Sequence, residues 1–278
     1  MTSPLVSTHW LHQHLQDDNL VLIEVCIDKI VGKEPVTYAT PTHIPNATQL
    51  DMEHDFCDVD SDQIHAMPTP SQFQITSSKL GITQDSTVVL YDNQGLYVAP
   101  RAWWTFVCMG FQRVYVLDGG LPQWLADGFP VVTQLKIPVP SEGVVPNVQP
   151  ELVCDANAVL AQINNPNFRL LDARANERFH GAVSEPRPGV RSGHIPNALN
   201  LPFQQVLDGP KLKPVAELRK QFSSLTSEDQ QLIFSCGSGI TACILILAAY
   251  QAGYSRLSLY DGSWAEWGSR EDLPVSLV

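Results

Sequence analysis

The chain has no excess of basic residues and no apolar run long enough to cross a membrane. Its 278 residues include 17 Lys and Arg against 29 Asp and Glu, for a net charge of −12. Because polyanions bind basic surfaces, this balance argues against nucleic acid and anionic membranes as partners. No stretch supplies the roughly 20 apolar residues of a bilayer-spanning helix. The first residues also lack the basic and apolar segments of a secretory signal, so we expect a cytoplasmic protein.

Paired cysteine motifs are also missing. The six cysteines form no Cys-x-x-Cys pair, and no spacing of cysteine and histidine resembles a zinc site. In a cytosolic chain of this size, such thiols are expected to be reduced and mostly buried. We therefore predict no metal centre. Cys243, which lies inside an apolar run, is predicted to belong to a hydrophobic core.

The chain does contain an internal repeat. The pentapeptide His-Ile-Pro-Asn-Ala occurs at residues 43–47 and again at 194–198, and segments 117–124 and 127–131 have counterparts at 260–267 and 271–275. Three matched blocks in the same order indicate a duplicated domain. Residues 134–150 carry four prolines with little periodicity, which predicts a surface linker. The predicted domains are residues 1–133 and 151–278.

Each copy alternates strand-like and helix-like segments. The predicted strands are 20–25, 87–91, 114–117, 168–172, 231–235 and 257–260, and the predicted helices are 71–80, 99–109, 215–222 and 240–252. Such alternation with short connections is typical of a mainly parallel sheet with helices on both faces. We therefore predict an α/β fold for both domains, with functional residues beyond the carboxyl ends of the strands.

The best candidate for chemistry follows one of these strands. Cys236 comes directly after the predicted strand 231–235. A short glycine-containing loop leads from Cys236 into a nearly unbroken apolar helix. The active-site loop is predicted to include Gly237, Ser238 and Gly239, with Ile240 and Thr241 at the start of that helix. N–H groups at the start of a helix favour an anion, so the thiol is expected to act as a thiolate nucleophile. Thr241 is expected to help cap the helix. The aligned position in the first copy is Asp92, so that copy is predicted to lack the nucleophile.

Residues 236–241, Cys-Gly-Ser-Gly-Ile-Thr, resemble the active-site loop of tandem rhodanese-like sulfurtransferases, and within them of the 3-mercaptopyruvate sulfurtransferases, which typically have Cys-Gly-Ser-Gly-Val-Thr. The resemblance covers nearly the whole chain and includes both His-Ile-Pro segments and residues 99–104, 185–189 and 260–264. It implies two α/β domains, of which the first is inactive and the second carries a persulfide-forming cysteine. It implies no cofactor besides that covalent persulfide.

The resemblance also implies roles for five further residues. Arg178 and Arg187 match the arginines that hold the substrate carboxylate and carbonyl in this subfamily, and a guanidinium can grip a carboxylate with two hydrogen bonds. Ser238 is implied to pass a proton to the leaving enolate or to hydrogen-bond it. His65 and Glu53 match the histidine and the acid that continue this proton relay.

The charge of the loop bears on the sulfur donor. Thiosulfate is a dianion, and rhodaneses proper have Arg and Lys directly after the cysteine. Gly237 and Ser238 are neutral here, which favours a donor with a single carboxylate. We therefore predict that sulfur moves from 3-mercaptopyruvate through a Cys236 persulfide to an acceptor, with release of pyruvate. The expected acceptors are thioredoxin, a small thiol or cyanide, and the protein is expected to be a monomer.

Alternative functions remain open at this point. Thiosulfate sulfurtransferase is the nearest alternative. A non-catalytic rhodanese module that serves as an interaction domain is another, although it would not explain a complete loop around Cys236. A phosphatase of related fold would need an arginine six residues after the cysteine, where this chain has Ala242. Arg174, just after a predicted strand, is interpreted as structural.

Overall fold

The computed structural model describes residues 3–277, in which backbone contacts separate two compact units. The first unit comprises the chain up to Val59, Met67–Gln149 and Asp208–Leu212. The second comprises Asp60–Ala66, Pro150–Leu207 and the chain from Lys213 onward. Each unit therefore includes a short segment from the other half of the sequence. The boundaries predicted at 1–133 and 151–278 remain a proposal about independently folding domains.

The first unit is built on one parallel sheet flanked by helices. Its strands are β1 (Leu5–Val6), β2 (Leu20–Cys26), β3 (Thr48–Asp51), β4 (Thr87–Tyr91) and β5 (Val114–Leu117), and its helices are α1 (Thr8–His14), α2 (Pro70–Lys79), α3 (Ala99–Cys108) and α4 (Gly120–Ala126). The strand order is β1-β5-β4-β2-β3, with parallel pairing throughout. Such an order requires the connections to cross over the faces of the sheet.

The second unit repeats this topology. Its sheet strands are β6 (Val153–Cys154), β7 (Phe168–Asp172), β8 (Leu199–Asn200), β11 (Gln231–Ser235) and β12 (Leu257–Tyr260), and its helices are α5 (Ala156–Gln162), α6 (Asn176–Phe179), α7 (Val215–Ser223), α8 (Ala242–Ala252) and α9 (Ser263–Trp267). The order β6-β12-β11-β7-β8 matches the first sheet position by position. A separate two-stranded ribbon is formed by β9 (Leu207–Asp208) and β10 (Lys211–Leu212). The predicted α/β fold with duplicated parallel sheets is confirmed.

Helix α8 fixes the loop that follows β11. It is apolar all round, nearly all of its residues are buried, and it packs against α7, β11 and β12. A helix without a polar face is stable only in a core, which explains its unbroken apolar sequence. Gly253 ends the helix in the left-handed conformation at φ 100°. With β11 and α8 both buried, the segment that joins them is held at both ends.

Two absences apply to the part of the chain that the structure describes. Within residues 3–277 no helix has both the length and the apolar character needed to traverse a bilayer. Over the same residues, no group of three or more His, Cys, Asp or Glu side chains is arranged to hold a metal ion.

Candidate active site

Cys236 lies at the carboxyl end of β11 and is 2% exposed. Its N–H donates to the Ser263 hydroxyl at 3.2 Å, and its carbonyl accepts from the Trp264 N–H at 3.0 Å. The Gly237 carbonyl accepts from the Ala265 N–H at 2.9 Å. Hydrogen bonds to the first residues of α9 therefore fix the backbone of Cys236 and Gly237. The Ser263 hydroxyl in turn donates to the Tyr260 carbonyl at 2.9 Å, which ties the start of α9 to the end of β12.

The corresponding loop of the first unit shows what this backbone shape binds. Asp92 occupies the cysteine position, and its carbonyl accepts from the Leu121 N–H at 3.0 Å, as the Cys236 carbonyl does from Trp264. The fully buried Asp92 carboxyl accepts 2.9 Å hydrogen bonds from the N–H groups of Gln94, Tyr97, Val98 and Ala99. Burial raises the pKa of Asp92, and these N–H groups oppose the shift. The loop is thus shaped to surround one acidic group with backbone donors.

The repeat aligns the cysteine loop with this one. The positions aligned with the four donors are Ser238, Thr241, Ala242 and Cys243, of which Cys243 donates its N–H to the Ile240 carbonyl at 3.1 Å. The two loops also share a left-handed glycine, Gly95 at φ 105° and Gly239 at φ 80°. Charge-assisted hydrogen bonds of this kind contribute about 1.5–3 kcal/mol each. The two loops therefore correspond in sequence position and in the conformation of this glycine, with the Cys236 thiol where the first loop has the Asp92 carboxyl.

Two guanidinium groups lie against the loop beside the thiol. A Cβ atom placed on Gly237 would be 3.3 Å from Arg178 Nη2 and 3.7 Å from Arg187 Nη1. Glycine at this position therefore leaves room for both arginines. The structure brings together Arg178, Arg187 and the Cys236 loop, as the resemblance implied.

The surroundings of the two arginines differ. Arg178 donates through Nε and Nη2 to both oxygens of Glu185, at 3.2 and 2.5 Å. Glu185 also accepts from Arg174, whose guanidinium chelates Asp172 and lies 4.4 Å above the Trp264 ring. Burial alone would lower the pKa of Arg174, but Asp172 and Glu185 outweigh burial and raise it. Arg174 is thus a buried support, which agrees with its interpretation as structural.

Ser238 connects the loop to Arg187 and His65. The Arg187 Nη2 group is 3.4 Å from Ser238 Oγ, and His65 Nδ1 is 3.0 Å from the same oxygen. His65 adopts φ 57°, a backbone conformation uncommon outside glycine. Two residues earlier, Gln63 donates to Asp261 at 2.7 Å, which holds this segment on the second unit. The serine is therefore within hydrogen-bond distance of two polar partners.

The remaining predicted residues have different surroundings. Ile240 is buried in the second unit, whereas Glu53 belongs to the first, where its carboxylate accepts from the Asp28 N–H at 2.9 Å. The proposed step from His65 to Glu53 stays a prediction. The expected capping role of Thr241 is wrong. Its backbone is already helical, at φ −72° and ψ −16°, and its side chain makes no capping bond.

Two residues that contact the candidate site were not found by the sequence reasoning. Glu185 lies in segment 185–189, which carries part of the resemblance, but its position in the sequence did not indicate that its carboxylate pairs with two arginines. Ser263 had a usable signal, because it aligns with Gly120. Both residues have a left-handed backbone conformation, Ser263 at φ 51° and Gly120 at φ 53°. Residues other than glycine rarely adopt this conformation, so a serine at this position indicates a specific role for its side chain. Here the hydroxyl at that position accepts from the Cys236 N–H.

Comparison with known proteins agrees with this geometry. The model of the rhodanese-like domain matches residues 7–127 and 155–270. The chain is 35% identical to 3-mercaptopyruvate sulfurtransferase of Escherichia coli (strain K12), over 100% of this chain and 99% of the relative. It is also 35% identical to thiosulfate/3-mercaptopyruvate sulfurtransferase 1, mitochondrial, of Arabidopsis thaliana, over 100% of this chain and 79% of the relative.

A solved structure extends the agreement from sequence to fold. The crystal structure of SseA from Escherichia coli, described as a 3-mercaptopyruvate sulfotransferase with the rhodanese fold, matches with a TM-score of 0.80 and 32% identity. The match covers 95% of this chain and 99% of that one. The chain therefore belongs to the rhodanese-like family as a tandem-domain sulfurtransferase related to the 3-mercaptopyruvate sulfurtransferases.

Proposed function

We propose that this enzyme takes sulfur from 3-mercaptopyruvate, holds it as a persulfide on Cys236 and passes it to a thiol. The observation that carries the proposal is the convergence of two arginines on a loop whose first two residues after the cysteine are neutral. The names of the relatives from Escherichia coli and Arabidopsis thaliana support the same donor. A non-catalytic interaction module would have no use for a buried thiol whose backbone is fixed by hydrogen bonds to α9.

In the first half-reaction, the Cys236 thiolate attacks the sulfur of 3-mercaptopyruvate. A sulfur–sulfur bond forms as the carbon–sulfur bond breaks, and the electron pair of that bond passes to the enolate of pyruvate. The enolate then takes a proton, for which Ser238 and His65 form the proposed route. Arg187 holds the carboxylate and Arg178 the carbonyl oxygen. N–H groups of the loop stabilise the negative charge on sulfur.

In the second half-reaction, a nucleophile, either a thiolate or cyanide, attacks the outer sulfur of the persulfide, the sulfur–sulfur bond breaks, and the Cys236 thiolate is released. Thioredoxin, a small thiol or cyanide can each serve as this nucleophile, and the two half-reactions predict double-displacement kinetics. We further propose that the protein acts as a monomer in the cytoplasm. One plant relative with the same donor in its name is named mitochondrial, so the cellular compartment of these proteins does not follow from their chemistry.

Thiosulfate is the second candidate donor, because one relative carries both donors in its name. The two are separated by measuring kcat/KM for pyruvate release from 3-mercaptopyruvate and for thiocyanate formation from thiosulfate with cyanide. We expect the higher value with 3-mercaptopyruvate. A higher value with thiosulfate would contradict the proposed donor.

A further inference from the structure

The charged groups behind the loop form a balanced set. Asp172 and Glu185 supply two negative charges, and Arg174 and Arg178 supply two positive charges. The side chains of Asp172, Arg174 and Glu185 are 1%, 1% and 3% exposed, so water screens them little. Both oxygens of Glu185 are used by Arg178, which neutralises the arginine without moving it away from Gly237.

Arg187 is different. Among residues 3–277 no carboxylate forms an ion pair with it, and its guanidinium lies near the Ser238 hydroxyl instead. The two arginines over the loop therefore present about one net positive charge to a donor rather than two. Arg178 contributes directed N–H groups, whereas Arg187 contributes uncompensated charge.

We propose that Glu185 is a specificity-determining residue, which neutralises Arg178 so that the site favours a singly charged sulfur donor over a dianion. This inference rests on the proposed function, since it assumes that the donor binds between Arg178, Arg187 and the loop. Glu185 acts through Arg178 and is not itself in the path of sulfur.

The physical reason is the linear dependence of electrostatic energy on charge. A unit positive charge added to the site attracts a dianion twice as strongly as a monoanion at the same distance. Removing the charge of Glu185 would therefore help thiosulfate more than 3-mercaptopyruvate. Because the carboxylate is buried beside the site, the effect should be large compared with that of an exposed charge.

The test measures kcat/KM for both donors in the full-length enzyme and in three variants. Glu185→Gln keeps a hydrogen-bond acceptor for Arg178 but removes the charge. We expect the ratio of thiosulfate to 3-mercaptopyruvate kcat/KM to rise by about tenfold or more. Glu177→Gln removes the same charge from an exposed side chain next to Arg178, and its ratio should stay within about twofold of wild type.

Glu185→Gln leaves the guanidiniums of Arg174 and Arg178 with one fewer carboxylate and risks misfolding, so Glu185→Asp is measured beside it. Aspartate keeps the negative charge on a shorter side chain. Its kcat/KM should therefore fall with both donors, while the ratio of thiosulfate to 3-mercaptopyruvate kcat/KM stays within about twofold of wild type. A ratio unchanged in folded Glu185→Gln, or raised about tenfold in Glu185→Asp, would overturn the inference. A wild-type preference for thiosulfate would instead overturn the proposed function.

Discussion

At the scale of single residues, the six thiols of the chain differ mainly in their surroundings. All six are free. Burial, followed by the nearby Asp51 and Glu24, raises the pKa of Cys26 to about 12. Burial likewise raises the pKa of Cys154 to about 12. Such thiols stay protonated near neutral pH and are poor nucleophiles. Cys236 alone among the six follows a strand and stands in the loop whose counterpart surrounds Asp92 with N–H donors.

The contact between Ser238 and His65 leads to a prediction about proton transfer. Ser238→Ala and His65→Gln should each lower kcat with 3-mercaptopyruvate by roughly 10- to 100-fold, because proton transfer to the enolate is slowed. The double variant should be little slower than the slower single variant, since both residues act in one relay. Steady-state pyruvate release measures this.

His54→Gln is the matched control for the histidine. Its side chain is 69% exposed and is paired with Asp51, so its loss should leave kcat unchanged. If the fold-decreases in kcat of Ser238→Ala and His65→Gln multiplied in the double variant, the two residues would act independently. That result would contradict the relay.

At the scale of elements, the carboxyl end of β7 depends on a buried ion network. Asp172 ends this strand, and Arg174 follows it, donates to the Gly193 carbonyl at 2.9 Å and reaches Glu185. The network therefore joins a strand end, the loop with the His-Ile-Pro segment and the segment that holds Arg187. Its integrity should decide both stability and the placement of the arginines.

Arg174→Met should lower the free energy of unfolding by about 3–5 kcal/mol, because it leaves a buried carboxylate without its partner. Arg113→Met is the matched control. It breaks an exposed pair with Asp85, whose side chains are 47% and 98% exposed, and should cost less than about 1 kcal/mol. Urea unfolding monitored by tryptophan fluorescence compares the two. Equal losses would contradict the buried network.

Elements were predictable where a local pattern determines them. Strands β4, β5, β7, β11 and β12 have the predicted bounds, because short apolar runs between turn residues have few alternatives in a parallel sheet. Helix α8 begins at Ala242, two residues later than predicted, because residues 240 and 241 belong to the loop. The left-handed Ser263 and the double pairing of Glu185 depend on tertiary contacts, which no local pattern in a single sequence encodes.

At the scale of the whole molecule, duplication explains why the same loop carries Cys236 in one unit and Asp92 in the other. The sequence repeat predicted two sheets of the same kind, and both have the same strand order. It could not predict that residues 60–66 fold with the second unit and residues 208–212 with the first, because these exchanges depend on contacts between distant segments. The first exchange provides His65 to the second unit.

The central claim is that sulfur is carried on Cys236, and peptide mass spectrometry after exposure to 3-mercaptopyruvate tests it most directly. We expect one added sulfur atom on the peptide that contains Cys236, together with one pyruvate released per enzyme. The other five cysteines should be unchanged, and Cys236→Ser should show neither the added sulfur nor turnover with either donor. Added sulfur on another cysteine, or pyruvate release by Cys236→Ser, would contradict the account.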